Sequence, residues 1–248
     1  MINFVGLMMN NSHFEVCSSS IDDVVAAIEG GADRVELCRN LEEDGLTPDY
    51  ETIRTAVGLA RNAGRHFAVM VLVRCRAGGF VYTDEEKALM KRSVAEIISL
   101  GVDGVVVGSL NPDGTVDSGW VREIVEMAHA SGLSVTFHRA FDHVVDFSNA
   151  LDVLVSTGVD RVLTAGGRDG AEKGADTLSK LISRAGDRLV VMPGGGVRSS
   201  NISYLKRTTG AGEYHSSCRC TSAGGHNGAS VEEIRKIAQF LKEDSTDD

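Results

Sequence analysis

Eight short apolar runs, each followed by a stretch of helical spacing, predict an α/β chain folded as a TIM-type (β/α)8 parallel barrel. Two further observations support closure. The 248 residues divide into eight units of about 31, the length of one βα unit. A Gly-x-Asp pattern also recurs before every second run. It reads Gly31-Ala32-Asp33, Gly101-Val102-Asp103 and Gly158-Val159-Asp160, with Gly210-Ala211-Gly212 as a weaker fourth copy. The glycine suits a left-handed helix C-cap. Recurrence at alternate units is expected of a barrel built from repeated parts, and the rival, a doubly wound open sheet, gives no reason for it.

The elements follow in order. The predicted strands are 13–18, 34–38, 66–74, 104–109, 133–138, 161–165, 188–192 and 213–216. After the first, Ile21, Val24, Val25 and Ile28 share a helical face and Ser20 stands as N-cap. After the third, Thr83 caps a helix whose first turn is acidic and whose body runs to about residue 100. Residues 217–228 read as a small, polar loop. Val231, Ile234, Ile237, Ala238 and Leu241 then mark an amphipathic helix, and 243–248 reads as a disordered tail. The prediction is one domain over 1–248, with the barrel at about 13–216 and the C-terminal loop and helix at about 217–242.

Composition narrows the function. With 25 Lys+Arg against 35 Asp+Glu the net charge is −10, unsuited to nonspecific contact with nucleic acid or anionic membranes. No stretch of 18 apolar residues would span a bilayer. The N-terminal stretch lacks a basic region and a cleavage site, so a cytoplasmic chain is expected. Five cysteines, an odd number, argue against a disulfide framework.

In a barrel the chemistry sits where strands end. The first two strands end in the same triplet, Glu15-Val16-Cys17 and Glu36-Leu37-Cys38. Period two places each glutamate on the same face as its cysteine, and adjacent strands lie about 4.8 Å apart. Free cysteines are often small core hydrophobes. Glutamates inside a barrel need partners or shifted pKa values. Arg74, Thr164, His138, Arg139 and His215 stand at other strand ends. Such an inventory reads as an active-site mouth or as a structural ion network.

Pro193-Gly194-Gly195-Gly196 follows the seventh strand, where many barrels bind phosphate through backbone N–H groups. Cys218-x-Cys220, after the eighth strand, offers two thiols but too few ligands for a closed zinc site. It reads as an incidental pair.

Several of these segments together resemble the CutC copper homeostasis family. They are Glu15-Val16-Cys17, the stretch from Gly30 to Cys38, Leu46-Thr47-Pro48, Asp113-Gly114, Phe137-His138-Arg139-Ala140-Phe141-Asp142, Leu163-Thr164 and Met192-Pro193-Gly194-Gly195-Gly196. The resemblance implies a TIM-type barrel, a cytoplasmic location, homo-oligomers and a role in copper handling. It implies Cu(I) ligation by Cys17 and Cys38, which agrees with the softness of thiolates. The chain departs from the family pattern at Cys75, between two arginines, and at Cys218-Arg219-Cys220.

Two functions are therefore expected. One is a copper homeostasis protein that binds Cu(I) through Cys17 and Cys38 at the barrel mouth. The other is a barrel enzyme acting on a small anionic metabolite, phosphate- or carboxylate-bearing. In that case Glu15, Glu36 and His138 are the catalytic groups, and Arg74, Arg139, Gly194, Gly195 and Gly196 bind the anion.

Overall fold

The structure is a computed structural model that describes residues 12–221 and 227–243. Eight parallel strands form the barrel: β1 (His13–Ser18), β2 (Arg34–Leu37), β3 (Ala68–Leu72), β4 (Gly104–Val107), β5 (Ser134–Phe137), β6 (Arg161–Thr164), β7 (Val190–Pro193) and β8 (Glu213–Ser216). Their ladder order is β7-β6-β5-β4-β3-β2-β1-β8. The two end strands lie side by side, with no ladder between them among the described residues, so the barrel is nearly closed.

Helices α1 (Ile21–Gly30), α2 (Tyr50–Arg61), α3 (Asp84–Ile98), α4 (Ser118–His129), α5 (Phe147–Thr157), α6 (Ala175–Ala185), α7 (Ile202–Thr209) and α8 (Val231–Glu243) surround it. Ser20 caps α1, and Thr83 with Glu86 forms a capping box on α3. None of the described helices is long and apolar enough to cross a membrane. Gly30 is required by a close approach, since a Cβ there would stand 2.4 Å from Ile234 Cγ2 of α8. The predicted tail, 243–248, falls outside the described residues except for its first position.

Strand alternation sorts the side chains. Phe14, Val16, Val35, Leu37, Val69, Val71, Val105 and Val107 face outward into one large apolar core beneath the helices. Cys17, Cys38, Met70, Leu72 and Val106 face inward as a second, smaller cluster. The first is the adhesive between sheet and helices. The second forms the floor of the site.

The recurring aspartates have a structural cause. Asp33 accepts the Phe14 N–H at 2.8 Å, Asp103 that of Val69 at 2.8 Å and Asp160 that of Val135 at 2.7 Å. Each carboxylate thus ties the start of an odd-numbered strand to the even-numbered strand that follows. The main-chain carbonyl at the same position accepts from the strand that follows in all four copies, Asp33 from Ala68, Asp103 from Ser134, Asp160 from Val190 and Gly212 from His13, and Gly212 has no side chain to add the second tie.

One expectation is corrected. Part of the segment read as a loop pairs as an antiparallel hairpin, β9 (Arg219–Thr221) with β10 (Asn227–Ala229). Buried Asp23 on α1 holds it, accepting from the Ala229 N–H at 2.8 Å and from the Arg219 guanidinium at 3.1 Å. That long-range tie leaves no local signal in a small, polar sequence.

Candidate functional site

The inward side chains of β1, β2 and β8 build the site in two levels. The lower level is an ion network. Arg34 binds Glu15 at 2.6 Å and also Glu213, and Arg161 binds Glu213 at 2.8 Å. Arg34 further donates to Met192 Sδ at 3.1 Å. Two carboxylates thus face two guanidiniums in the barrel interior, which is the condition for burying either. Burial opposes the charge on Glu15, but Arg34 and His215 outweigh it and hold the carboxyl at about 2.

His215 links this level to the one above. Its Nδ1–H donates to Glu15 Oε1 at 2.7 Å, and its Nε2 lies 3.8 Å from Glu36 Oε2. Burial disfavours a charged imidazole, yet the bond to Glu15 and the carboxylate charges raise its pKa. Glu36 is pushed the other way from Glu15. Burial raises its pKa, and His215 offsets only part of that.

A raised carboxyl is a cost once ionised. Its favourable contribution is complete below the ordinary value and lost as pH rises through the folded-state value. Glu36→Gln is therefore expected to stabilise the protein at pH 7, with the gain vanishing below about pH 4. Urea unfolding at both pH values measures this, and an unchanged midpoint at pH 7 would refute it.

The upper level holds the sulfurs. Cys17 Sγ and Cys38 Sγ are 4.0 Å apart, both buried and both free thiols. Strand stagger brings them together, since Cys17 pairs in register with Glu36 rather than with Cys38. The bond to Cys38 and burial push the Cys17 thiol up, with Glu36 adding to the effect. One donor atom each from Cys17, Glu36 and His215 lies within 4.8 Å of the others.

Above the sulfurs opens a cavity of about 360 Å³, in the range of small-ligand pockets. Cys17, Cys38, Glu36 and His215 line one wall, and Arg74, His138, Arg139, Gly195 and Gly196 line the rest. Most of the predicted residues therefore share one space. Glu15 and Gly194 are the exceptions, and Glu15 corrects the expectation that it reaches the mouth, because it lies in the level below, enclosed by Arg34 and His215.

Three further placements revise the sequence reading. Arg74 is buried, and its Nη atoms donate to the carbonyls of Glu43, Gly45 and Gly78. It braces the loops after β2 and β3. Burial, helped by the Arg74 charge, takes the His138 ring down to about 3. That shift favours the neutral ring at pH 7. Gly194 donates its N–H to Thr164 O at 2.9 Å and is spent in the sheet, while Gly195 and Gly196 reach the cavity.

Arg34, Arg161, Glu213 and Asp142 were missed as partners. The signal existed for three of them. Arg34 and Glu213 stand two residues before Glu36 and His215, so they share their faces, and Arg161 opens β6 as Arg34 opens β2. Asp142 closes the Phe137–Asp142 motif. Its carboxylate accepts from Arg139 Nε at 2.8 Å, Thr164 Oγ1 at 2.5 Å and the N–H groups of Ala165 and Gly167. It holds the β6 loop and sets the position of Arg139.

The Cys218–Cys220 pair does not converge on one site. Cys218 is buried, bonded to Ser216 Oγ and pushed by burial to about 12, whereas Cys220 is exposed.

Comparison with known proteins gives a consistent picture. The CutC family model matches residues 12–220. A CutC family protein of Xylella fastidiosa is 45% identical over 215 residues, covering 87% of this chain and 78% of the other. One from Xanthomonas campestris is 39% identical over 242 residues, 92% of this chain and 98% of the other. The crystal structure of a CutC protein from Streptococcus agalactiae, assigned to copper homeostasis, superposes with a TM-score of 0.77 at 30% identity. It covers 83% of this chain and 98% of that one.

Proposed function

The chain belongs to the CutC family, and we propose that it is a cytoplasmic copper homeostasis protein that takes Cu(I) between Cys17 and Cys38. The single observation that carries this reading is the pair of free, buried sulfurs 4.0 Å apart at the base of an open cavity. All five cysteines are free thiols, in keeping with a reducing compartment. Thiolates are soft donors and select Cu(I) over hard divalent ions.

The spacing also bears on coordination. With metal–thiolate bonds of about 2.3 Å, sulfurs at this separation enclose an angle of about 120° at the ion, not a linear one. A bent pair leaves room for a third donor. His215, whose other nitrogen donates to Glu15, clusters with Cys17 and Glu36 within 4.8 Å but not with Cys38, so it stands as a donor on the Cys17 side only. Glu36, a hard oxygen donor, is a poor Cu(I) ligand.

Binding must displace the Cys17 proton, since that thiol is held protonated. Affinity is expected to rise about tenfold or more per pH unit between pH 6 and 8. Anaerobic competition against a chromogenic Cu(I) chelator measures it, with one ion per chain at saturation. X-ray absorption should find two sulfurs on the ion. A stoichiometry of zero, or an affinity independent of pH, would overturn the assignment.

A second reading, a barrel enzyme acting on a small anionic metabolite, is favoured by one observation. The cavity carries more hydrogen-bond donors than two sulfurs and an imidazole need.

A further inference from the structure

The remaining wall of the cavity is lined by donors that lack acceptors. Arg139 commits only its Nε, to Asp142, and its Nη1 and Nη2 have no partner among the described residues. Nη1 lies 3.6 Å from where a Cβ on Gly195 would stand. Gly195 and Gly196 both take positive φ, +91° and +75°. Their carbonyls are occupied, by the Ala171 N–H at 2.8 Å and by Asn201 Nδ2 at 2.9 Å. Their N–H groups donate to no described residue. Two successive unpaired amides and a free guanidinium thus belong to residues that line one cavity.

A buried side chain adds to them. His138 Nδ1 accepts the Ala140 N–H at 3.1 Å, which places the proton of the neutral ring on Nε2. That Nε2–H has no partner, although His138 is only 5% exposed. The ring is fixed between Phe80, at 5.1 Å, and the backbone of Gly108, where a Cβ would meet it at 2.3 Å. Arg74 is likewise buried, 2% exposed. The Tyr82 hydroxyl interacts with Arg74, so the orphan that counts is His138 Nε2–H: buried donors are nearly always satisfied, and one lining a cavity points to an acceptor supplied from outside the chain. The acids that line the same space, Glu36 and Asp44, do not pair with it.

We infer that this wall is an oxyanion subsite, built from Arg139, the Gly195 and Gly196 amides and His138 Nε2–H, with Arg74 behind it. It takes the carboxylate or phosphate of a small molecule whose remainder extends toward Cys17, Glu36 and His215. Planar Arg139 matches either group in bidentate fashion. Being uncharged, His138 adds a donor without a counter-charge. The subsite uses none of the proposed copper ligands, so its occupancy stands or falls apart from the copper reading.

The test is an amide and imidazole NMR titration of the full, metal-free chain with sodium phosphate or sodium malonate, with sodium chloride at matched ionic strength as reference. Saturable shifts are expected at the Gly195 and Gly196 amides and at the His138 ring. Saturation by phosphate assigns a phosphate-bearing ligand, and saturation by malonate a carboxylate. Arg139→Met, which alters an exposed side chain, should weaken binding about tenfold or more. His138→Gln, which can keep an N–H in that place, should weaken it less than Arg139→Met does. No saturable shift with either anion, shifts reproduced by chloride, or equal affinity in Arg139→Met would each overturn the inference.

Discussion

Arg34→Met is expected to lower folding stability by about 3–5 kcal/mol, the effect of removing one partner from a buried charge pair. The residue neutralises Glu15 and Glu213 together, and both lie inside the barrel. With methionine there, Arg161 still faces Glu213, but among the described residues Glu15 keeps only His215. The shape change is modest, so most of the loss comes from an uncompensated carboxylate. pH makes this specific. Glu15 ordinarily titrates near 4.5 and is held at about 2, a difference of about 3 kcal/mol in favour of the folded state. A depressed carboxyl contributes that stability above its ordinary value and loses it as pH falls through the folded-state value. The gap between wild type and Arg34→Met should therefore narrow between pH 4.5 and pH 2. Urea unfolding across that range measures it. A loss below about 1 kcal/mol at pH 7, or a gap that does not close in acid, would show that the network is not carrying the charge of Glu15.

That network also shows what a sequence makes legible. Strands and their faces follow from short-range alternation, so β1 and β8 have the predicted bounds and the two E-x-C triplets point inward as expected. The Gly-x-Asp echo was visible as a pattern. Its cause, a carboxylate reaching the start of the preceding strand, needed the strands in place. Levels inside the barrel were less legible. Parity puts Glu15 and Cys17 on one face but does not say which of them reaches the opening. Strand stagger decides it, leaving Glu15 below and setting Cys17 beside Glu36. Protonation was least legible. Glu15 and Glu36 occupy matching triplets, yet one lies against Arg34 and the other against Cys17 and His215, so burial prevails in Glu36 alone. His138 stands at a strand end, and nothing local shows that Arg74 and Phe80 lie against it.

The cavity is thus divided by chemistry. Soft and acidic groups occupy the wall formed by β1, β2 and β8. Nitrogen donors occupy the side reached by the ends of β3, β5 and β7. A ligand that met both walls would present an anionic group to Arg139 and a soft or protonated centre to Cys17 and His215. An anionic complex of Cu(I) has both features, and so has a small organic acid, which is how one cavity supports both functional readings.

The sulfur wall separates them. Cys17→Ser and Cys38→Ser are each expected to weaken Cu(I) binding by more than about a hundredfold, because loss of a mere supporting contact at a metal site already costs about 10- to 100-fold. Serine keeps the size of the side chain and its hydrogen bonding but replaces a soft donor with a hard one. The two sulfurs act as one site at 4.0 Å, so either single change should remove the whole equivalent rather than half. Cys218→Ser/Cys220→Ser is the control. Its thiols lie in different environments, one buried and one exposed, and copper binding should be unchanged. Anaerobic competition with a chromogenic chelator, run on all three variants at one pH, gives the comparison, and thermal unfolding of each confirms that the barrel is intact. Loss confined to the Cys218/Cys220 variant would move copper to the hairpin. Full affinity in all three would refute the thiolate site and leave the donor-rich wall, with its small anion, as the part of the cavity that defines function.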